Sequence, residues 1–268
     1  GEVKPGEHEL SVGSAGSTTL VLQTVLPALL CASRPSLLVL EGGTHNPLAP
    51  PFEFLDRAYL PLVNRMGPKV QAELERAGFY PVGGGRIVVS IEPAPRLNGF
   101  ELLERGEILH RKATALVSRL PRHIGEREVA EAARLAEWDS LEVREVNTPG
   151  PGNAVLLSVE SEAVTEVFVG FGERGVPAER VAGRAVEKML RYLDSGVPVG
   201  EHLADQLLLL LALAGSGAFA TLPLSGHAAT QVELIPRFLG VTISVEEGPK
   251  GHEGPKGHKG QKAVVAVL

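Results

Sequence analysis

Three polar side chains stand out around the most apolar stretch of the chain. GEHLADQLLLLLALAGSG, residues 200–217, places Asp205 and Gln206 at the mouth of a run of leucines, and a lone histidine, His227, follows in SGHAATQVE. A neutral imidazole is a nucleophile. With an ordinary pKa of about 6.5 it is mostly uncharged at pH 7, and it can attack phosphorus to give a reactive phosphoramidate. The plainer account of a histidine after a Ser-Gly pair is a surface or capping residue. A carboxylate and an amide in the first turn of a helix have two readings as well. They can satisfy free N–H groups and the helix dipole. Alternatively the helix end faces a nucleotide, because helix N-termini favour phosphates and these side chains can bond a base or sugar.

Other stretches offer weaker chemistry. SVGSAGST (11–18) leads into a helix start with glycines and hydroxyls, the composition of an anion nest, but no Gly-Lys-Ser/Thr follows as in a P-loop. EGGTHNPLAPP (41–51) is a Pro-broken polar loop after a strand, a common place for ligand contacts. The glycines of YPVGGGR (80–86) fit a tight hairpin. HExxH, paired CxxC and GxSxG are all missing from the sequence.

The elements that must carry these residues form a pattern that occurs twice. Ser17 is placed to cap a helix over 18–32, with Pro27 expected to kink or shorten it. A strand at 36–40, a helix at 52–66 and a hairpin of 69–76 with 86–92 follow. The order returns as a helix at 203–213, a strand at 218–222, a helix at 229–238 and a hairpin of 241–246 with 262–268. Gln23 and Gln206 hold similar places in the two leading helices. Between the copies, 104–195 reads as strand, helix, three strands and a helix, a small inserted α/β domain. The predicted division is therefore 1–103 for the first visible part of a repeat body, 104–195 for the insert and 196–268 for the final repeat. The GPKGH doublet within 248–260 has a composition that can bind metal, but a solvated loop between hairpin strands accounts for it better.

Bulk composition narrows the classes. The chain has 268 residues, 44% hydrophobic and 22% charged, as a folded domain or two would have. One cysteine excludes an intrachain disulfide framework and a Cys-only zinc site, and a reducing, cytoplasmic setting fits. A net charge of −6 argues against a coat of basic residues for duplex binding. Aromatic content of 4% argues against extended base-stacking platforms. The leucine run is shorter than the about 20 residues a membrane span needs, so no membrane partner is expected, and GEVKPGEHEL does not read as a signal peptide. Arg111, Lys112, Arg119, Arg122, His123 and Arg127 crowd the start of the insert. They fit either contacts to a nucleic-acid backbone or a solvated charged face.

Seven stretches together resemble the RNA 3′-terminal phosphate cyclases. They are VGSAGS (12–17), LVLQTVLPAL (20–29), GGTHNPLAPP (42–51), GFYPVGGG (78–85), GPGN (150–153), EHLADQL (201–207) and SGH (225–227). They run in family order across nearly the whole chain. The resemblance implies tandem βαβαββ-like repeats, three in all, with a small α/β domain inserted before the last repeat's core. It also implies a further opening repeat with a GEGGGQxxR motif that this sequence lacks, with residue 1 falling where the second repeat begins.

By resemblance, His227 is the nucleophile that attacks the α-phosphate of ATP. AMP then passes to an RNA 3′-terminal phosphate, and the neighbouring 2′-OH closes a 2′,3′-cyclic phosphate. Gln23 and the run His202, Leu203, Ala204, Asp205 and Gln206 match ATP-contacting positions. Where the family often has Tyr, this chain has His202, which implies a smaller stacking surface for adenine. A divalent cation, Mg or Mn, is expected on the phosphates, with its protein carboxylate in the missing repeat, so no metal ligand is assigned here. A non-catalytic, cyclase-like scaffold in ribosomal RNA processing is the alternative. His227 argues against it, since such relatives would lack the nucleophile. An enolpyruvyl-transfer enzyme of similar repeat architecture finds no support in the motifs. The sequence does not specify an oligomeric state.

Overall fold

The computed structural model describes residues 3–248 and 262–268. It is a mixed α/β fold built from two copies of one unit and an inserted domain. The first unit is β1 (Glu7–Ser11), α1 (Thr18–Leu30), β2 (Ser36–Gly42), a helical stretch, β3 (Lys69–Arg76) and β4 (Gly85–Glu92). The helical stretch comprises α2 (Phe52–Phe54), a π-helical turn (Leu55–Tyr59) and α3 (Leu60–Arg65). The second unit begins with β5 (Glu101–Leu102). After the insert it continues through α6 (Glu201–Ala214), β10 (Gly217–Thr221), α7 (Gly226–Leu234), β11 (Ile243–Glu247) and β12 (Ala263–Val267).

The two sheets have the same order. The first reads β1-β2-β4-β3 and the second β5-β10-β12-β11. In both, the first pair is parallel and the other two are antiparallel. The periodicity gives the helices and hairpins but misses β1 and β5. β1 is an exposed edge strand with almost no buried position, and β5 has two residues. Neither carries an apolar alternation long enough to read.

The insert is β6 (Ile108–Ser118), α4 (His123–Leu135), β7 (Ser140–Glu145), β8 (Gly152–Ser161), β9 (Thr165–Phe171) and α5 (Ala178–Ser195). Its sheet order is β7-β6-β8-β9. On α5, Val181, Ala182, Ala185, Val186, Met189 and Tyr192 are buried, the stripe of an amphipathic helix. They pack with Ala113, Val155, Leu157 and Val159 of the sheet.

Ser17 caps α1, its hydroxyl accepting from the Leu20 N–H at 3.1 Å. The helix runs through Pro27 and stops at Leu30, two residues short of the expected end. The leucine helix α6 is core: Leu203, Leu207, Leu208, Leu210 and Leu211 have no exposed surface. They share one apolar cluster with α1, β2, β4 and the π-helical turn. Hydrocarbon burial thus fixes α6, a helix of the second repeat, against the first. Among the described residues no helix is long and apolar enough to cross a membrane. Most of the GPKGH tract, residues 249–260, lies outside the described residues.

Candidate active site

Helix α6 begins at Glu201, two residues earlier than the leucine pattern suggests. Asp205 and Gln206 therefore sit one turn in, and neither caps the first turn. Their side chains reach sideways to other elements. Asp205 Oδ1 accepts from the Ser225 hydroxyl at 2.7 Å. Gln206 Oε1 accepts from Gln23 Nε2 of α1 at 2.5 Å.

Ser225 does two things at once. It is the N-cap of α7, its oxygen accepting from the Ala228 N–H at 3.0 Å, while its own O–H goes to Asp205. His227 is the second residue of α7 and is exposed. Burial pushes the Asp205 carboxyl above its usual range. The Ser225 hydrogen bond and the charges of His202 and His227 act against that rise, and Glu201 adds to it. Asp205 is thus the point where the starts of α6 and α7 meet, with both histidines in electrostatic reach. The starts of α6 and α7 are thus joined through Asp205 and Ser225, and helix N-termini favour anionic groups.

The other sequence-assigned positions divide. Gln23 and Gln206 are half-buried and joined, and His202 is exposed on the first turn of α6. Leu203 and Ala204 turn their side chains into the core, at 0% and 2% exposure. The Ala204 N–H is bonded to Gly200 O, so of these two only the backbone of Leu203 offers a free first-turn donor.

Several motifs are joints in the fold. In the 11–18 turn the Gly13 and Gly16 N–H groups bond the hydroxyls of Ser11 and Ser14, so these would-be anion donors are already used. Asn46 Nδ2 ties Ala15 O, and Thr18 Oγ1 ties Gly43 O, closing the turn onto the 42–51 loop. His45 of that loop is buried between Thr44 Oγ1 at 2.8 Å and Glu53 Oε2 at 2.9 Å, with its ring 4.9 Å from that of Phe79. The GPGN turn packs on the same region: a Cβ on Gly152 would fall 2.0 Å from the Phe79 ring, and one on Gly150 2.5 Å from Val82. These glycines let the insert approach the first repeat. Arg86 is held by Glu75, Glu41 and Glu9 at 2.6, 2.9 and 3.5 Å.

The basic cluster at the start of the insert is largely neutralised. Lys112 meets Glu142 at 2.8 Å, Arg122 meets Glu126 and Glu145 at 3.1 Å each, and Arg127 meets Glu179 at 2.6 Å. Arg119 Nε bonds Thr148 O at 2.7 Å. Glu126 is a neighbour on α4 itself, and the other three acids come from β7 and α5, which the sheet and helix packing place alongside. The sequence reading missed Ser225 as the link between Asp205 and α7. The available signal was a serine at an N-cap position next to the histidine.

Duplicated βαβαββ units, an insert, and a histidine at a helix start beside a half-buried aspartate define a repeat-built α/β protein with a candidate phosphate-handling edge. The chain belongs to the RNA 3′-terminal phosphate cyclase family of enzymes, which it matches over residues 1–245. It is 48% identical over 248 residues to the RNA 3′-terminal phosphate cyclase of Koribacter versatilis (strain Ellin345), covering 91% of this chain and 70% of that protein. It is 47% identical over 246 residues to that of Ectopseudomonas mendocina (strain ymp), covering 91% and 72%. To that of Salmonella typhimurium (strain LT2) it is 46% identical over 253 residues, covering 94% and 75%.

Proposed function

We propose that the chain takes part in ATP-dependent conversion of an RNA 3′-terminal phosphate to a 2′,3′-cyclic phosphate, with His227 as the nucleophile. The observation that carries this reading is the junction of α6 and α7. There His227 stands at a helix start capped by Ser225, and Ser225 is itself fixed by Asp205.

Attack on a phosphate dianion is slow because like charges repel. The chemistry removes that obstacle in three steps. An imidazole nitrogen of His227 forms a bond to the α-phosphorus of ATP as the bond to pyrophosphate breaks. A 3′-phosphate oxygen then displaces the imidazole, giving a phosphoanhydride to AMP and a free histidine. Finally the 2′-oxygen, losing its proton, bonds the terminal phosphorus and AMP leaves. The converging N–H groups of α6 and α7 offset the charge gathered on the transferred group. Gln23 and Gln206, joined as one unit, are placed to meet the nucleotide's base or sugar.

Departing pyrophosphate calls for a divalent cation, Mg or Mn. Among the described residues no group of three or more His, Cys, Asp and Glu side chains could hold one, and Asp205 is already engaged by Ser225. The donor set here does not form a metal cage, so no step is assigned to a metal held by this chain.

The test is incubation with α-labelled ATP and a divalent ion, followed by a search for acid-labile protein label. Wild type should label and His227→Ala should not. Equal labelling of the variant would remove His227 from the role. Absence of label in both would favour the scaffold alternative.

A further inference from the structure

Glu166 on β9 is 2% exposed, yet among the described residues no cation lies within ion-pair distance of it. Its carboxyl accepts instead from backbone: the Gly200 N–H at 2.5 Å and the Val167 N–H. Gly200 is the N-cap of α6 and brings no side chain to that task. In a capping box the third helical residue is a Glu or Gln that accepts from the N-cap N–H. In α6 that residue is Leu203, which is buried in the core. Glu166 thus supplies, from the inserted domain, the acceptor that the helix lacks.

The approach depends on glycine. A Cβ on Gly200 would lie 2.8 Å from Glu166 Oε1 and 3.1 Å from its Cδ. The rest of the connection from α5 to α6 is pinned from other sides. Tyr192 Oη donates to Pro198 O at 3.1 Å, Val199 N–H donates to Ala220 O at 3.2 Å, and Arg105 donates to the carbonyls of Tyr192 and Leu193. Glu166 alone among these contacts reaches the cap. One turn beyond it lie Asp205 and Gln206.

We propose that Glu166 is a positioning residue, one that seats the first turn of α6 and so aims Asp205 and Gln206 at the nucleotide. The inserted domain is thereby part of the site's framework. This rests on the nucleotide reading above. Burial pushes the carboxyl up to about 8 despite its two backbone hydrogen bonds. A neutral amide of the same shape therefore preserves the contact.

The experiment compares Glu166→Ala, Glu166→Gln and Gly200→Ala in the full chain. It follows the ATP dependence of self-labelling and amide hydrogen exchange over residues 200–203. Glu166→Ala should raise the half-saturating ATP concentration about tenfold, the scale of a displaced binding group, with a smaller change in the saturated rate. It should also speed exchange at those amides, and Glu166→Gln should stay close to wild type in both. Unchanged ATP dependence in Glu166→Ala, or equal behaviour of Ala and Gln, overturns the proposal. If Glu166→Ala does not fold, Gly200→Ala takes its place: a matching rise supports the proposal and wild-type ATP dependence overturns it. If wild type itself does not label, the nucleotide reading is what fails. Exchange then decides the anchoring separately, and wild-type exchange in Glu166→Ala rejects it.

Discussion

Gln23 Nε2 lies 2.5 Å from Gln206 Oε1, and each glutamine is the sixth residue of its repeat's leading helix, counted from Thr18 and from Glu201. The two copies of the βαβαββ unit thus meet at equivalent positions. A duplicated element has become one composite surface.

The glutamines should behave as a pair. Gln23→Ala and Gln206→Ala should each weaken ATP dependence of labelling, and the double variant should cost less than their sum. A double-mutant cycle on stability should give a coupling of about 1 kcal/mol, the usual worth of a hydrogen bond between neutral groups. Strict additivity would mean that the contact carries no energy.

Ser225→Ala removes a helix cap and the donor to Asp205 together. Loss of a serine N-cap costs about 1 kcal/mol. The same change should slow labelling, because the turn that holds His227 loosens. Ser225→Thr, which keeps the hydroxyl, should recover most of both. Chemical denaturation and the labelling rate check this. A fully active Ser225→Ala would show that the Asp205 link is dispensable.

Glu128 on α4 predicts a pH dependence of stability. It has no exposed surface, accepts from Asn153 Nδ2 at 2.8 Å and leaves Oε1 without a partner. Burial raises its carboxyl to about 7, with the Asn153 hydrogen bond acting against the rise. The folded state then holds a proton that the unfolded chain, at the ordinary 4.5, gives up. Its contribution is fully present below the unfolded value and is lost as pH climbs through about 7. Glu166 adds a decline of the same sign up to about 8. Denaturation midpoints from pH 5 to 9 should fall, and Glu128→Gln should flatten the lower part of the slope. An unaltered slope in that variant would assign the effect elsewhere.

His202 stands exposed on the first turn of α6, where a ring can lie against a base. His202→Tyr enlarges that ring. The ATP concentration for half-maximal labelling should stay the same or fall. A large rise would reject stacking at this position.

Periodicity and capping signals were enough to place α1, α6, α5 and both hairpins within a few residues, because each buries a local stripe or starts at a local cap. The seven ordered motifs were enough to point to the family. Their individual jobs were not legible. GGTHNPLAPP and GPGN read as ligand loops or signatures. In the fold they are a packing seam, where His45 stacks on Phe79 and Gly152 lets the insert close. The basic run of the insert read as free charge until β7 and α5 brought Glu142, Glu145 and Glu179 beside it.

The sequence by itself determined the helices and hairpins though not the edge strands β1 and β5, that a unit is repeated, and which residue types could do phosphorus chemistry. Tertiary structure alone decided that Asp205 bonds Ser225, that Gln23 bonds Gln206, and that Glu166 caps a helix 34 positions downstream. The reason is range. Periodicity and caps are set by neighbours within a turn or a strand. A hydrogen bond between distant residues exists only once apolar burial has fixed the backbones that carry them.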